Sequence, residues 1–249
     1  MKAIFVLRTW ESKRLIAKGV VSLPEVKSAL KKGYIIVSMG STDAYVAEEL
    51  LGETIDKGSY MAGLIHQGRL QVLPKEERLP LLILKDGHKV EIPFEEALDD
   101  FRKGDVLIKG GNALDPQGNV GILMAASDGG TIGKALGIIT ARGSHYIAPV
   151  GLEKLIPSVR EATKALGIET IDYSMGHKVG LMPVVGAKVF TEIEALNSLF
   201  NVEAVHVASG GVGDSEGSVV LAVSGDEACV KKAIELIEGI KEEEPLRIE

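Results

Sequence analysis

The 249-residue chain predicts an α/β fold: a doubly wound, mostly parallel sheet followed by a smaller ferredoxin-like α/β plait. Three observations carry this expectation. Apolar, β-branched runs without alternation, such as YIIVS at 34–38, read as strands buried on both faces. Such runs alternate with amphipathic helical stretches through residue 180, as in βα units. Beyond that point the order becomes strand, helix, strand, strand, helix. The expected division is a Rossmann-like ligand-binding domain at 1–180, a plait at 181–243 and a charged tail at 244–249.

Taken in order, the run AIFVL is too short for a signal-peptide core or a membrane span, so it reads as a first strand. Trp10, with Arg8, Lys13 and Arg14, reads as an amphipathic surface helix, or else as a lid or oligomer contact. Ser22-Leu-Pro-Glu25 has the spacing of a capping box, opening a helix that stops at Gly33. After YIIVS, MGSTDAYVAEELLG sets Val46, Ala47, Leu50 and Leu51 on one helical face, with Ser41 or Thr42 as cap and Gly52 as stop. MAGLI, RLQVLP, LPLLILKDG and HKVEIP are short strand candidates with turns at Gln67-Gly68 and Asp86-Gly87. Phe94, Ala97, Leu98 and Phe101 share a helix face, and DVLIK is the next strand. VGILMAA then reads as a strand, GGTIGKALGIITARG as a helix capped by Thr131, and HYIAPVG as a strand. Ser158-Val-Arg-Glu161 is a second capping box, for a helix ending at Gly167. VVGAKVF, TEIEALNSLF, VEAVHVAS, GSVVLAVS and DEACVKKAIELIEG supply the plait.

Composition narrows the function. A formal charge of -7 and 4% aromatic residues argue against a nucleic-acid partner, which needs a basic face or stacking platforms. A single cysteine, Cys229, rules out an intrachain disulfide and a cysteine-rich metal site, and a cytoplasmic location is the default expectation. No histidine pair has metal-ligand spacing, no membrane segment is evident, and no motif calls for a cofactor or metal.

The informative stretches are glycine-rich ends of elements. SMGSTD offers an anion the start of a helix at Gly40, Ser41 and Thr42. KGGNALDPQGN follows an apolar strand, where open α/β sheets place ligands. Lys109 would be its point charge, Gly110 and Gly111 its close backbone, Asn112 a hydrogen-bonder and Asp115 a carboxylate able to move protons. The bland alternative for Asp115 and Asn119 is a local Asx turn. Gly129-Gly130-Thr131 is a third glycine-led helix end. His145 and His177 follow glycine or serine at element ends and could face a cleft; Cys229 reads as a small core residue.

MGSTDAYVAEELLG is similar to the Gly-Ser-Thr loop and helix of ribose-5-phosphate isomerase type A. KGGNALDPQGN resembles that family's Gly-Ala-Asp-Glu-Val-Asp-Pro-x-x-Asn loop, and LMPVVG resembles the Pro-Val run before its small domain. Related loops occur in methylthioribose-1-phosphate isomerases and translation initiation factor 2B subunits; coenzyme A transferases and sugar-responsive repressors share the broader superfamily. The resemblance implies that Asp115 matches the second acidic position of the loop, while Asn112 stands where both isomerase families carry their catalytic aspartate. It also implies a glutamate base downstream, in whose region this chain has only Gly129-Gly130-Thr131.

The leading expectation is an isomerase-like enzyme acting on a small phosphorylated or carboxylated metabolite, most simply a sugar phosphate, as a homo-oligomer. Asp115, Glu153, His145 and His177 are the groups able to replace the missing base. The alternatives are a metabolite sensor or assembly subunit that kept only the pocket, and a coenzyme A transferase using Glu153.

Overall fold

The computed structural model describes residues 1–248; Glu249, the end of the expected tail, lies outside the described residues. In chain order the elements are β1 (Lys2–Leu7), α1 (Thr9–Ser22), α2 (Pro24–Lys31), β2 (Tyr34–Val37), α3 (Ser41–Leu51), β3 (Gly63–His66), β4 (Arg69–Val72), β5 (Leu82–Lys85), β6 (His88–Lys89) and α4 (Phe94–Asp100). They continue with β7 (Val106–Ile108), β8 (Ala113–Leu114), β9 (Val120–Met124), α5 (Gly130–Arg142), β10 (His145–Pro149), α6 (Val159–Lys164), β11 (Gly180–Val184), β12 (Lys188–Phe190), α7 (Glu192–Phe200), β13 (Glu203–Gly210), β14 (Ser218–Ser224) and α8 (Glu227–Ile240). None of these helices is long and apolar enough to cross a membrane.

The principal sheet is mixed, with six strands in the order β12-β10-β7-β2-β5-β6. The first four run parallel, and β5 and β6 are antiparallel additions at one side. The apolar runs predicted to be strands buried on both faces are so: every residue of β2 and β7 is buried. Both expected turns form and each closes a hairpin, with Gln67 and Asp86 at φ 49° and 51° beside Gly68 and Gly87, as tight two-residue turns require.

The expected plait is not built as one sheet. Its first strand, β12, joins β10 at the edge of the principal sheet, while β13 and β14 form a separate sheet with the N-terminal strand, in the order β1-β14-β13. β11, the LMPV run, pairs instead with β9, which pairs on its other side with β8. The reason is partner choice. β1 offers β14 six consecutive pairs from Lys2↔Ser224 to Leu7↔Val219, whereas β12 is three residues long. The large hydrophobic core runs from Phe5 through Ile36, Leu107 and Ile147 to Leu221 and Ile237, and a small second cluster gathers Ala113, Val159 and Leu181.

The expectation of a surface helix at Trp10–Arg14 is also corrected. α1 packs against α3, α7 and α8 and touches β10, and Glu11, Ser12, Lys13 and Arg14 are all buried. Their charges are tolerated because other elements bring partners to them, which no helical periodicity reveals. Ser22, expected to cap the next helix, is instead the last residue of α1 and donates to Gly19 O (2.7 Å). Ser158 does cap α6, accepting from Glu161 N at 3.2 Å.

Candidate functional site

Three neighbouring parallel strands end in step. Ser38 N donates to Ile108 O (2.9 Å), Lys109 N to Ile147 O (3.1 Å) and Val150 N to Phe190 O (3.0 Å), so each ladder extends one residue past its strand. This carboxyl edge is where open α/β sheets expose their chemistry. Lys109 follows directly on buried β7, and its Nζ donates to Ser38 Oγ at 3.1 Å. Lys109 keeps some accessible surface, yet the protein around it depresses the ammonium pKa through burial, only partly countered by the charge of Asp43.

Asp43, in the first turn of α3, is buried, and its Oδ1 accepts from Gly110 N at 2.8 Å. Burial pushes its carboxyl up to about 7 against the opposing pull of Lys109, the Gly110 N–H and Lys154. The backbone opposite it is closely packed. A Cβ on Gly110 would lie 3.0 Å from Pro149 O and 3.3 Å from Asp43 Oδ1. Beside Asp43, the Thr42 hydroxyl is buried without a partner.

The same edge continues toward α1. After β10, a single 3-10 turn at Leu152–Lys154 sends Lys154 Nζ to Gly111 O at 2.9 Å. Glu153 turns the other way, with Oε1 3.7 Å from Lys13 Nζ and Oε2 buried and unpartnered. Gly151 makes room for it, since a Cβ there would lie 1.8 Å from Glu153 Oε2. Glu192, fully buried at the start of α7, accepts from Leu152 N at 3.0 Å. Burial, and then the nearby charge of Glu153, raise its pKa; the Ser12 hydroxyl lies beside it without a well-aligned bond. Lys13 is pulled down by burial and held back by Glu153. Lys154 couples the two halves, its charge acting on both Asp43 and Lys13.

Of the residues expected from sequence, Lys109, Gly110, Gly111, Gly40, Thr42 and Glu153 meet here. Gly40, rather than Ser41 or Thr42, is the N-cap of α3, and its N–H goes to Tyr60 O at 3.0 Å. Asp115 has a different task. Its carboxylate accepts from Gln117 N, Asn119 N, Asn119 Nδ2 and Val159 N, all at 3.0–3.1 Å. It lies just beneath the surface, little exposed but thinly covered. Burial acts against its charge, but the bonds from Asn119, Val159 and Gln117 prevail and hold the carboxyl below its ordinary range. The bland Asx-turn reading describes it. Asn112 is exposed, its Oδ1 accepting from Leu123 N at 3.0 Å.

The third glycine-led end is occupied by the chain itself. Gly129 rather than Thr131 caps α5, and Asp128 Oδ1 takes the Gly130 N–H at 2.9 Å. His145 begins β10, so it lies at the end of the sheet opposite Lys109. His177 is exposed, and its backbone N–H donates to Leu70 O at 2.8 Å, beside the β3–β4 hairpin.

Sequence reading missed Asp43, Lys154 and Glu192, and left Lys13 on the surface. One signal was present: the TEIE capping box uses Thr191 and Glu194 (Thr191 N to Glu194 Oε2, 2.8 Å), which leaves Glu192 free for another role. Among the described residues, no three His, Cys, Asp or Glu side chains converge as a metal site needs. A surface depression of about 400 Å³ lies between Arg14, Lys18, Glu49 and Glu243. Its charges already pair with one another, so the chemistry points to the strand-end cluster instead. Compared with known proteins, the chain matches no family model, no curated protein and no solved structure.

Proposed function

We propose that the chain is an enzyme that moves a proton beside the carbonyl of a small phosphorylated or carboxylated metabolite, in the manner of a sugar-phosphate isomerase. The observation that carries this is Asp43: a buried carboxyl near neutrality, one glycine N–H from Lys109, at the carboxyl edge of the sheet. Such a group can both take and return a proton at physiological pH. Asp43 replaces Asp115 and Asn112 in that role, while Lys109 faces the carbonyl end. Lys154, Lys13 and the start of α3 at Gly40–Thr42 supply positive potential for the anion. The reading calls for no cofactor. The apolar outer positions Ile4, Val6 and Val205 of the β1-β14-β13 sheet support an accompanying homo-oligomer.

The test is a melting-temperature screen of sugar phosphates, sugar acids and coenzyme A esters. A ligand at about a hundred times its Kd adds roughly 2.7 kcal/mol, about 5–10 °C for this size of chain. In heavy water the bound metabolite should then gain deuterium beside its carbonyl, and Asp43→Asn should slow that exchange roughly 10²–10⁴-fold without loss of binding. Binding with no exchange in the native chain sinks the enzyme reading. It favours the second one, a metabolite sensor, which draws on Asp115 and Asn112 being taken up by loop structure. A shift from coenzyme A esters alone would direct attention to the unpartnered oxygen of Glu153, to be trapped as an acyl adduct with hydroxylamine.

A further inference from the structure

Lys109, like Lys154, which donates to Gly111 O, is held without an ion pair. Lys13, Arg14 and Lys57 each have a carboxylate within 4.0 Å. Among the described residues Lys109 has none, and its side-chain partner is the neutral Ser38 hydroxyl. Its backbone is fixed on both sides, by Lys109 N to Ile147 O and by Tyr146 Oη donating to Lys109 O at 3.3 Å. The amine therefore projects from a rigid position in the middle of the sheet, with the Asp43 carboxyl across Gly110. A covered lysine kept only for its charge would gain from an ion pair. One that must present a neutral amine to an electrophile would not.

We propose that Lys109 is a Schiff-base lysine, whose Nζ bonds covalently to the carbonyl carbon of an open-chain aldehyde or ketone carrying an anionic group. This rests on the reading above that the site acts on a carbonyl. In the forward direction the neutral amine adds to the carbonyl carbon, and a C–N bond forms as the C=O π bond breaks. The Asp43 carboxyl protonates the carbinolamine oxygen, which leaves as one water, and an iminium remains. Its positive charge acidifies the neighbouring C–H, and Asp43, now a carboxylate, removes that proton. Return of the proton to that same carbon, from either face, restores the iminium, and addition of one water with cleavage of the C–N bond releases the carbonyl compound, exchanged or inverted at that carbon, and restores the amine. No electrons are gained or lost overall. Burial of Lys109, which favours the neutral amine, and burial of Asp43, which favours the acid, suit the first step.

The test uses the full chain and pentane-2,4-dione, a small diketone that condenses with a neutral amine, losing one water to give an enaminone. The expected result is that the first equivalent lands on Lys109, located by peptide mass mapping, ahead of the exposed lysines such as Lys134 and Lys231. Lys109→Arg, which keeps the charge, should abolish that fast adduct, and Lys154→Arg should retain it. Labelling of exposed lysines with Lys109 left free overturns the proposal, and needs no variant to fold. The deuterium exchange above separates the two claims. Exchange without Lys109 labelling keeps the enzyme and removes the Schiff base. Lys109 labelling without exchange in any sugar phosphate keeps the nucleophile and removes the isomerase-like reaction.

Discussion

Lys13 and Arg14 are adjacent on α1, both buried, and serve opposite kinds of charge cluster. Around Arg14 each guanidinium nitrogen has a carboxylate: Nε has Glu243 at 2.6 Å, Nη1 has Glu49 at 2.9 Å and Nη2 has Glu48, with the guanidinium 4.9 Å above the Tyr45 ring. Lys57 adds a 2.9 Å contact to Glu48. On the Lys13 side the closest opposite charges are 3.7 Å apart, Lys109 meets only a hydroxyl, and Glu153 Oε2 and Thr42 Oγ1 have no partner. The first cluster is a clamp joining α1, α3 and the C-terminal segment. The second leaves its groups under-satisfied at the ligand edge of the sheet, and buried groups in that condition raise the free energy of the fold unless a substrate completes them.

The largest effect expected from this contrast is on the clamp. Arg14→Met leaves Glu48 and Glu243 with only Lys57 as counter-charge and should cost about 3–5 kcal/mol, read from urea melts, while per-molecule activity of the folded fraction is kept. A loss of activity at unchanged stability would break the comparison.

The site side makes a prediction of opposite sign. Asp43 titrates at about 7 when folded against 3.8 when free, so folding holds a proton that the unfolded chain has released. Its contribution is full below pH 3.8 and is lost as pH rises to about 7, an upper bound of roughly 4 kcal/mol. Asp43→Asn lacks this loss. It should match the native chain near pH 4 and exceed it in stability by pH 8, even though it disables proton transfer; urea melts at pH 4, 6 and 8 give the curve. A gap independent of pH would mean that Asp43 is an ordinary structural carboxylate.

The smallest effect sharpens the division. Asp115→Ala leaves the Val159 and Asn119 N–H groups unpaired and should cost about 1–3 kcal/mol, with proton exchange preserved below the melting temperature. Exchange abolished at unchanged stability would return Asp115 to the chemistry.

The place of Lys109 at a strand end was legible because an apolar strand seldom ends on a lysine and two glycines, whereas Glu153 was picked only as one of several groups able to replace a missing base. Asp43 was not, since an acid in the first turn of a helix is equally expected as a complement to the helix dipole. His145 was misjudged for want of strand direction: it opens its strand, so it belongs to the far edge. Ser22 and Asp115 show the reverse case, in which a local pattern is real but its hydrogen bonds are spent elsewhere.

By itself the sequence determined the strands buried on both faces, the two hairpin turns and most helices, because periodicity and turn chemistry act over a few residues. Only the tertiary structure decided that Lys2 pairs with Ser224, that α1 is buried, and which of two neighbouring cations is clamped and which is left open. Those outcomes depend on which distant backbone edge or carboxylate arrives at a given position, and contact energies between segments hundreds of residues apart leave no imprint on the local pattern of either one.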